Sequence, residues 1–367
     1  MIFFKRTVRS SLILLFFATL SVLPTQTIAN THPFNFRIEQ VSTPEVIKEK
    51  LPPDWPEDGI LTFPEAQRDP WIRAIKSAKK EIKMAAYKLS DHQIIDQLVE
   101  ARARGVKVEI LIEPYVFTHE LSANIKSPIE ELKNKGVSIY AASKKFNQVH
   151  HKLILIDGEW GFLGTGNLDT ESFDGDKSVG AAPCRDFLVT ITNPDLLKAI
   201  EGIFQADTEH KPVTFPQSQL VWGPEDQRSI FLKMINSAKK SIIIYQQDFQ
   251  DKGIAEAVAE AARQGVKVEV LMMPYPFSKK EDKNIPNQDL IRQAGGQIYL
   301  HTNYYIHAKV LLIDQEDEEN AMMYVGSCNF YPESIDRNRE LGVLIKDYKQ
   351  VSRVLEKFHE DKKSVKE

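Results

Sequence analysis

The sequence predicts an α/β protein of two tandem lobes related by a pseudo-two-fold axis, each a mixed sheet flanked by helices. Two observations lead to this prediction. Apolar runs typical of strands alternate with amphipathic helical stretches along both halves of the chain. The chain also repeats itself at an offset of 160 residues, without a gap, from Pro64 and Pro224 as far as Phe117 and Phe277. Each lobe is therefore expected to hold one copy.

Each copy opens with a helix, a strand, an amphipathic helix and a second strand in the same order. Gly105 and Gly265 stand where the amphipathic helices are expected to end. The strands that follow them are rich in branched residues, which suit a sheet covered on both faces. The predicted ranges in the first and second copy are strands 82–89 and 242–249, helices 94–104 and 254–264, and strands 106–112 and 266–272.

The second half of each copy follows the same plan. A helix and a strand lead into a central motif strand, and a last strand and helix close the copy. The predicted ranges are helices 128–135 and 287–293, closing strands 186–192 and 340–345, a helix from Pro194, and a final helix.

Each copy contains the spacing H-x-K-x4-D on an apolar strand. Because side chains two residues apart on a strand point to one face, His150 must project with Lys152, and His307 with Lys309. Each motif is followed by a short strand that ends in a Gly-X-X-Asn segment. In the first copy, the hairpin signal Asp157-Gly158 joins the motif strand to this short strand. The Gly-X-X-Asn segments are 164–167 and 326–329.

On these motifs the chain resembles the phospholipase D superfamily, whose HKD signature is H-x-K-x4-D with a trailing G-[ST]-x-N, once in each half of a two-lobed enzyme. The resemblance implies the phospholipase D-like fold and a site that needs both lobes. The second copy departs from the pattern by an acidic insertion at residues 315–320.

The paired motifs point to metal-free phosphodiester chemistry. One neutral imidazole attacks phosphorus while the other, protonated, gives its proton to the leaving alcohol. Lys152 and Lys309 are predicted to hold the non-bridging oxygens. Four further side chains are expected to donate hydrogen bonds to the phosphate, namely Thr165, Asn167, Ser327 and Asn329. By resemblance, where the N-terminal motif commonly supplies the nucleophile, His150 forms the phosphohistidine and His307 is the acid.

Two acidic residues occupy the same place in the two copies, Asp186 and Glu340. In the superfamily an acidic residue downstream of each motif orients a catalytic histidine, so the resemblance implies that role for this pair. The alternative is an ordinary ion pair with Arg185 or Arg339.

The motif aspartates complete the predicted catalytic set in a supporting role. Asp157 and Asp314 lie an odd number of positions from their histidines, so on a continuous strand they face away and support the turn. His151 also faces away and is expected to be packed or solvated. Tyr115 and Tyr275 recur after strands and either line a cleft or belong to the core.

The N-terminus has the layout of a secretory signal peptide. Lys5, Arg6 and Arg9 precede an apolar run at 12–23 that is shorter than the ~20 residues that span a bilayer, and Ala29 marks a cleavage site. The expected divisions are a signal peptide at 1–29, an extended segment at 30–58, a first lobe at 59–207, a linker at 208–218 and a second lobe at 219–367. An exported protein, periplasmic or secreted, is predicted.

The net charge of the chain and the spacing of its cysteines disfavour two kinds of function, non-specific nucleic-acid binding and metal binding. The net charge of −4 becomes −7 when residues 1–29, with three basic and no acidic residues, are removed. An acidic protein is poorly suited to non-specific binding of polyphosphate. Cys184 and Cys328 have no metal-ligand spacing, so neither a metal nor a cofactor is expected. They either form a disulfide or are two buried thiols.

These observations favour a phospholipase D-type enzyme that hydrolyses a glycerophospholipid to phosphatidate and a head-group alcohol at a membrane surface. It is expected to be a monomer without an obligate protein partner. A nuclease that uses the same residues is an alternative. Transfer of the cardiolipin synthase type is another, and it is disfavoured because such enzymes usually carry N-terminal membrane helices.

Overall fold

The computed structural model describes most of the chain from residue 54 to residue 365. The predicted signal peptide, and most of the predicted extended segment, lie outside the described residues. The described ranges are 37–39, 41, 51–52, 54–116, 123–176, 178, 180–215, 218–276 and 281–365.

Strands and helices alternate along these ranges. The strands are β1 Ile60–Phe63, β2 Glu81–Ala86, β3 Lys107–Ile112, β4 Ser138–Ala141, β5 Lys152–Ile156, β6 Trp160–Gly164, β7 Cys184–Ile191, β8 Leu220–Gly223, β9 Ser241–Tyr245, β10 Lys267–Met272, β11 Gln297–Leu300, β12 Tyr305–Ile306, β13 Val310–Ile313, β14 Met322–Gly326 and β15 Glu340–Ile345. The helices are α1 Asp69–Ser77, α2 His92–Ala103, α3 Ala123–Asn134, α4 Thr170–Asp174, α5 Pro194–Thr208, α6 Gln227–Ser237, α7 Lys252–Arg263, α8 Ile285–Gln293, α9 Pro332–Asp336 and α10 Tyr348–Lys363.

The strands form two mixed sheets with the same topology. The first has the order β1-β7-β6-β5-β2-β3-β4, with β12 beside β7, and the second has the order β8-β15-β14-β13-β9-β10-β11. In each, three consecutive strands run parallel and the other neighbours pair antiparallel, except that β12 runs parallel to β7 in the first sheet. The predicted fold class, two related α/β lobes, is confirmed.

Alternating side chains on the motif strands hold the two lobes together. In β5, Leu153 and Leu155 belong to a core that also contains β13, α5 and α10, whereas Ile154 and Ile156 pack with α1 and α2. Every residue of β5 and β13 is buried. Because strands flank each motif strand on both sides and apolar layers cover both faces, the residues at its start stand on a rigid support.

Some elements differ from the sequence prediction. The strands β1 and β8 were not predicted, because they are short apolar runs whose extended form comes from pairing with β7 and β15. The strands expected to reach residues 89 and 249 end at Ala86 and Tyr245, and Leu89 and Phe249 form isolated bridges with the segments after the motifs.

The connection between the lobes is short and irregular. Helix α5 ends at Thr208, residues 209–215 form no regular element, and 216–217 lie outside the described ranges. The lobe boundaries stay predictions, since residues 33–367 form one compact unit. In the ranges that the structure covers, no helix has the length and apolarity to cross a bilayer.

Candidate active site

Each histidine motif begins with a segment that pairs with the opposite lobe. The His150 N–H donates to the Arg339 carbonyl oxygen at 2.9 Å, and the Arg339 N–H donates to the Gln148 carbonyl oxygen at 2.8 Å. In the other direction, β12 runs parallel to β7, and the His307 N–H donates to the Arg185 carbonyl oxygen at 3.2 Å. Each motif is thereby brought beside the closing strand of the other lobe.

The histidines form crossed pairs with the two downstream acids. His150 Nδ1 lies 3.0 Å from both carboxylate oxygens of Glu340, and His307 Nδ1 lies 3.0 and 3.2 Å from those of Asp186. All four side chains are buried. Because a carboxylate only accepts, Nδ1 carries the proton in each ring and Nε2 keeps its lone pair. The geometry agrees with an orienting role for the acids, and each acid serves the histidine of the other lobe.

The predicted alternative, ion pairs between these acids and the neighbouring arginines, is not what the structure contains. The Arg185 guanidinium binds Glu65 and Asp361, and that of Arg339 binds Glu225 and Asp207. Sequence reasoning did not assign these partners. A signal was present, because Glu65 and Glu225 are repeat partners at the offset of 160.

The hydroxyls of the trailing motif support the acids. Thr165 donates to Asp186, and Ser327 donates to Glu340. Each hydroxyl also accepts a backbone N–H from the closing strand, at 3.0 Å for Thr165 and 3.1 Å for Ser327. Each hydroxyl has a single hydrogen and directs it at an acid, so a hydrogen bond from these hydroxyls to the phosphate stays a prediction.

The asparagines of the trailing motif are placed differently from the hydroxyls. Asn167 and Asn329 line the same cavity as the two histidines. Among the described residues, neither side-chain oxygen has a hydrogen-bond partner. Buried polar groups are ordinarily hydrogen-bonded, so each of these oxygens can accept a hydrogen bond from a donor group of a ligand.

The two motif lysines lie fully buried beneath the histidines. Lys152 Nζ donates to the carbonyl oxygen of His150 at 2.6 Å, and Lys309 Nζ donates to that of His307. Burial lowers the pKa of both ammonium groups, to about 8 for Lys309, and the charge of Lys309 lowers that of Lys152 further. An anion bound beside them offsets both penalties and raises these pKa values.

The histidine pKa values are shifted in the same direction. Burial lowers the pKa of His150 and of His307 to about 4, against the opposing pull of their carboxylates. Both rings are thus neutral at pH 7 in the free site. A bound phosphate anion favours the charged form, which permits one ring to act as an acid. Their electrostatics do not distinguish nucleophile from acid.

The motif aspartates lie in turns after the motif strands. Asp157 and Asp314 have φ values of 55° and 48° and accept backbone N–H bonds from residues 79–81 and 239–241, with a shortest N···O distance of 2.7 Å in each copy. The described lining of the histidine cavity contains neither. They tie the motif strand to its neighbour.

Asp314→Ala is expected to lower the free energy of unfolding by about 1–3 kcal/mol and to leave kcat unchanged, because it removes three backbone hydrogen bonds and no cavity group. Thermal unfolding and initial rates measure the two effects. Asp289→Ala, at an exposed position on α8, is the control and should change neither. Loss of kcat at a temperature where the Asp314 variant is folded contradicts the supporting role.

Both histidines open into one cavity of about 940 Å³, the histidine cleft. The charged side chains that line the cleft are mainly acidic, and its described lining contains two lysines, Lys88 and Lys283. The carboxylates of the lining are Asp169, Glu171, Asp248, Glu281, Asp282 and Glu333. In the described chain no group of three His, Cys, Asp or Glu side chains is arranged to hold a metal ion, and metal independence stays a prediction.

The lining breaks the symmetry of the repeat, which sequence reasoning missed. Tyr87 and Lys88 correspond to Gln247 and Asp248 at the offset of 160. Burial raises the pKa of Asp248 to about 6. Unlike residues at equivalent positions of the repeat are the sequence signal that could have indicated this asymmetry.

The other predicted residues lie as follows. His151 is buried, with its ring centroid 6.4 Å from that of Trp222. Of the two alternatives for Tyr115 and Tyr275, a place in the core is excluded, because they are 44% and 46% exposed. Cys184 and Cys328 are buried free thiols, and no disulfide joins them.

Known proteins resemble this chain in sequence. The family described as "Cardiolipin synthase, PLD-like domain" matches residues 71–208 and 231–362. Cardiolipin synthase 2 of Bacillus anthracis is 27% identical over 330 residues, which cover 79% of this chain and 61% of that protein. Cardiolipin synthase A of Pseudomonas putida is 27% identical over 321 residues, which cover 78% of this chain and 64% of that protein. The chain spans less than two thirds of the length of these relatives.

Solved structures give the same fold. The crystal structure of phosphatidylserine synthase from Haemophilus influenzae superposes with a TM-score of 0.63 at 14% identity, covering 84% of this chain and 87% of that one. At such identity the likeness shows the fold alone.

Proposed function

Because the chain belongs to the family of phospholipase D-like domains of the cardiolipin synthase type, we propose that it is a phosphatidyltransferase that works through a phosphohistidine. The observation that carries the proposal is the pair of buried histidines, each oriented by a carboxylate of the opposite lobe and open to one cleft. Hydrolysis to phosphatidate, favoured by the sequence, has less support, since the relatives are named cardiolipin synthases.

In the first step the Nε2 lone pair of His150 attacks phosphorus. The P–O bond to the head-group alcohol breaks, and the leaving oxygen takes a proton from His307. Lys152 and Lys309 stabilise the charge on the non-bridging oxygens, and Asn167 and Asn329 donate amide hydrogens. The product is a phosphatidyl group on Nε2.

In the second step an alcohol takes the place of the departed head group. His307, now neutral, accepts the hydroxyl proton while the alcohol oxygen attacks phosphorus. The N–P bond breaks, and His150 returns to its neutral form with the Nδ1 proton still directed at Glu340. Water in place of the alcohol gives hydrolysis.

The charge of the cleft supports lipid over nucleic acid as substrate. The acidic lining opposes a polyanion such as nucleic acid, whose binding depends on many phosphate contacts.

Purified protein in mixed micelles with phosphatidylglycerol labelled in its terminal glycerol tests the proposal. We expect cardiolipin and free glycerol in equal amounts, since one molecule donates a phosphatidyl group and another accepts it. The His150→Ala/His307→Ala double variant is the control and should form neither product. Phosphatidate as the main product at saturating lipid contradicts transfer, and cleavage of DNA with inert lipid contradicts both lipid reactions.

A further inference from the structure

A second and larger cavity lies beside the histidine cleft, lined mainly by the first lobe and also by Pro224, Asp336 and Arg337 of the second. It has a volume of about 1590 Å³, and we refer to it as the basic groove. Its apolar lining includes Ile129, Ile139 and Phe146, together with the exposed ring of Tyr115. Sites for small molecules usually measure about 300–1,000 Å³, so this volume suits a larger, partly apolar ligand.

The charged lining of this groove is opposite in sign to that of the cleft. Lys133, Lys144, Lys145 and Arg337 line it, all are exposed, and none forms an ion pair with another described residue. Exposed cations without counter-ions on a concave surface attract an anion.

The two carboxylates in the lining do not neutralise these cations. Glu113 is buried and accepts the backbone N–H groups of Val149 at 2.8 Å and Tyr115 at 3.0 Å. Asp336 is bound to Arg228 through both carboxylate oxygens, at 2.7 and 2.6 Å. The groove therefore presents net positive charge.

The basic groove is continuous with the histidine cleft. Asn147 and Gln148 line both cavities, and His150 follows two residues later. The Asn147 N–H donates to the Arg337 carbonyl oxygen at 2.9 Å, so this boundary is held by both lobes. A ligand whose anionic part lies among the lysines has a short path to the histidines.

The second lobe does not repeat this arrangement. Between Ala141 and His150 the first copy contains Lys144 and Lys145, whereas residues 301–306 of the second copy, His-Thr-Asn-Tyr-Tyr-Ile, contain no basic residue other than histidine. The lysines of the groove all come from the first lobe, which makes the two sides of the reaction unequal.

We infer that the basic groove binds the head-group phosphate of a second, anionic glycerophospholipid, the one whose hydroxyl accepts the phosphatidyl group. The inference rests on the proposed transferase function for the acceptor role, and on the groove alone for binding. The lysines hold the acceptor's phosphodiester, the apolar floor takes the start of its acyl region, and its free hydroxyl reaches past Asn147 and Gln148 into the cleft.

Binding is tested by equilibrium titration of the full chain with dihexanoyl phosphatidylglycerol, on a His150→Ala background that prevents turnover. We expect Lys144→Gln/Lys145→Gln to weaken binding about tenfold, as the loss of two favourable charge contacts implies. We also expect added salt to weaken binding more in the parent protein than in this variant.

The matched control is Lys79→Gln/Lys80→Gln. These lysines are also adjacent, exposed and in the first lobe, but they precede β2, whereas the cleft residues Tyr87 and Lys88 follow it. The control should bind as tightly as the parent. Equal weakening in both double variants, or unchanged affinity in both, overturns the groove as a lipid site. Full displacement of the lipid by an equal concentration of inorganic phosphate overturns the choice of a lipid over a free anion.

Kinetics on the active background separate the two proposals. If the protein makes cardiolipin, the Lys144/Lys145 variant should raise KM for phosphatidylglycerol as acceptor about tenfold, with little change in the burst that forms the phosphohistidine. Cardiolipin formation with unchanged acceptor KM overturns the inference and leaves the transferase function intact. Phosphatidate as sole product, with lipid binding still dependent on Lys144 and Lys145, overturns the transferase function and the acceptor role, and retains the binding site.

Discussion

His307→Ala is expected to release nitrophenol from a nitrophenyl phosphodiester in a single burst and then to stall as a covalent phosphoryl-enzyme, whereas His150→Ala releases none. The burst survives because nitrophenolate is a good leaving group that needs no proton donor. The intermediate then persists because the second nucleophile has lost its base. With an alkyl leaving group, His307→Ala should lower the rate of the first step by a factor of roughly 10²–10⁴.

Stopped-flow absorbance measures the burst, and intact-mass spectrometry detects the adduct. These measurements mainly test which histidine is the nucleophile and which is the acid. The structure does not separate the two roles, because burial lowers the pKa of both rings to about 4 and each ring has its own carboxylate. His92→Ala, at an exposed position at the start of α2, is the control and should turn over normally. An adduct on the His150 variant, with none on the His307 variant, reverses the roles.

Glu340→Gln is expected to abolish the burst, and Asp186→Asn to retain it while the intermediate accumulates. The reason is the crossed pairing, in which Glu340 orients His150 and Asp186 orients His307. An amide in place of the carboxylate offers N–H to Nδ1, which places the ring proton on Nε2 and removes the reactive lone pair. The rate of the affected step should fall by a factor of roughly 10⁴, as it does when the carboxylate that orients a catalytic histidine is replaced by an amide.

The same burst and mass measurements apply to these variants. Glu65→Gln is the matched control, because Glu65 is bound to Arg185 beside Asp186 and contacts neither histidine. It should keep the burst and the turnover, and thermal unfolding should show all three variants folded. The crossed pairing is contradicted if Glu340→Gln behaves like His307→Ala and Asp186→Asn behaves like His150→Ala.

The fold was largely predictable, because it is encoded in local patterns that occur twice. Periodicity located the longer helices and most of the buried strands, but not the five-residue helices α4 and α9, and the repeat required two similar lobes. The patterns also missed short strands such as β1 and β8, which are extended only because a closing strand lies beside each. Propensity over four residues is too weak to predict a strand whose stability comes from tertiary pairing.

The candidate site was predicted residue by residue, but not all of its contacts. Thr165 and Ser327 were expected to donate to the phosphate, and their hydrogen bonds to the acids were not foreseen. Motif spacing places a hydroxyl near the histidine, yet it does not show which neighbour takes its only hydrogen. The charge of the cleft and of the basic groove also escaped prediction, because each lining comes from several loops of both lobes.

The sequence by itself determined the α/β class, the duplication, the two motif strands and the chemistry available to His150, Lys152, His307 and Lys309, since these depend on spacing along one strand. Only the tertiary structure decided which acid serves which histidine. The partners are 190 residues apart for His150 and Glu340 and 121 for His307 and Asp186. They meet because each motif's leading segment pairs with the closing strand of the other lobe, and nothing local to either copy distinguishes that exchange from pairing within a lobe.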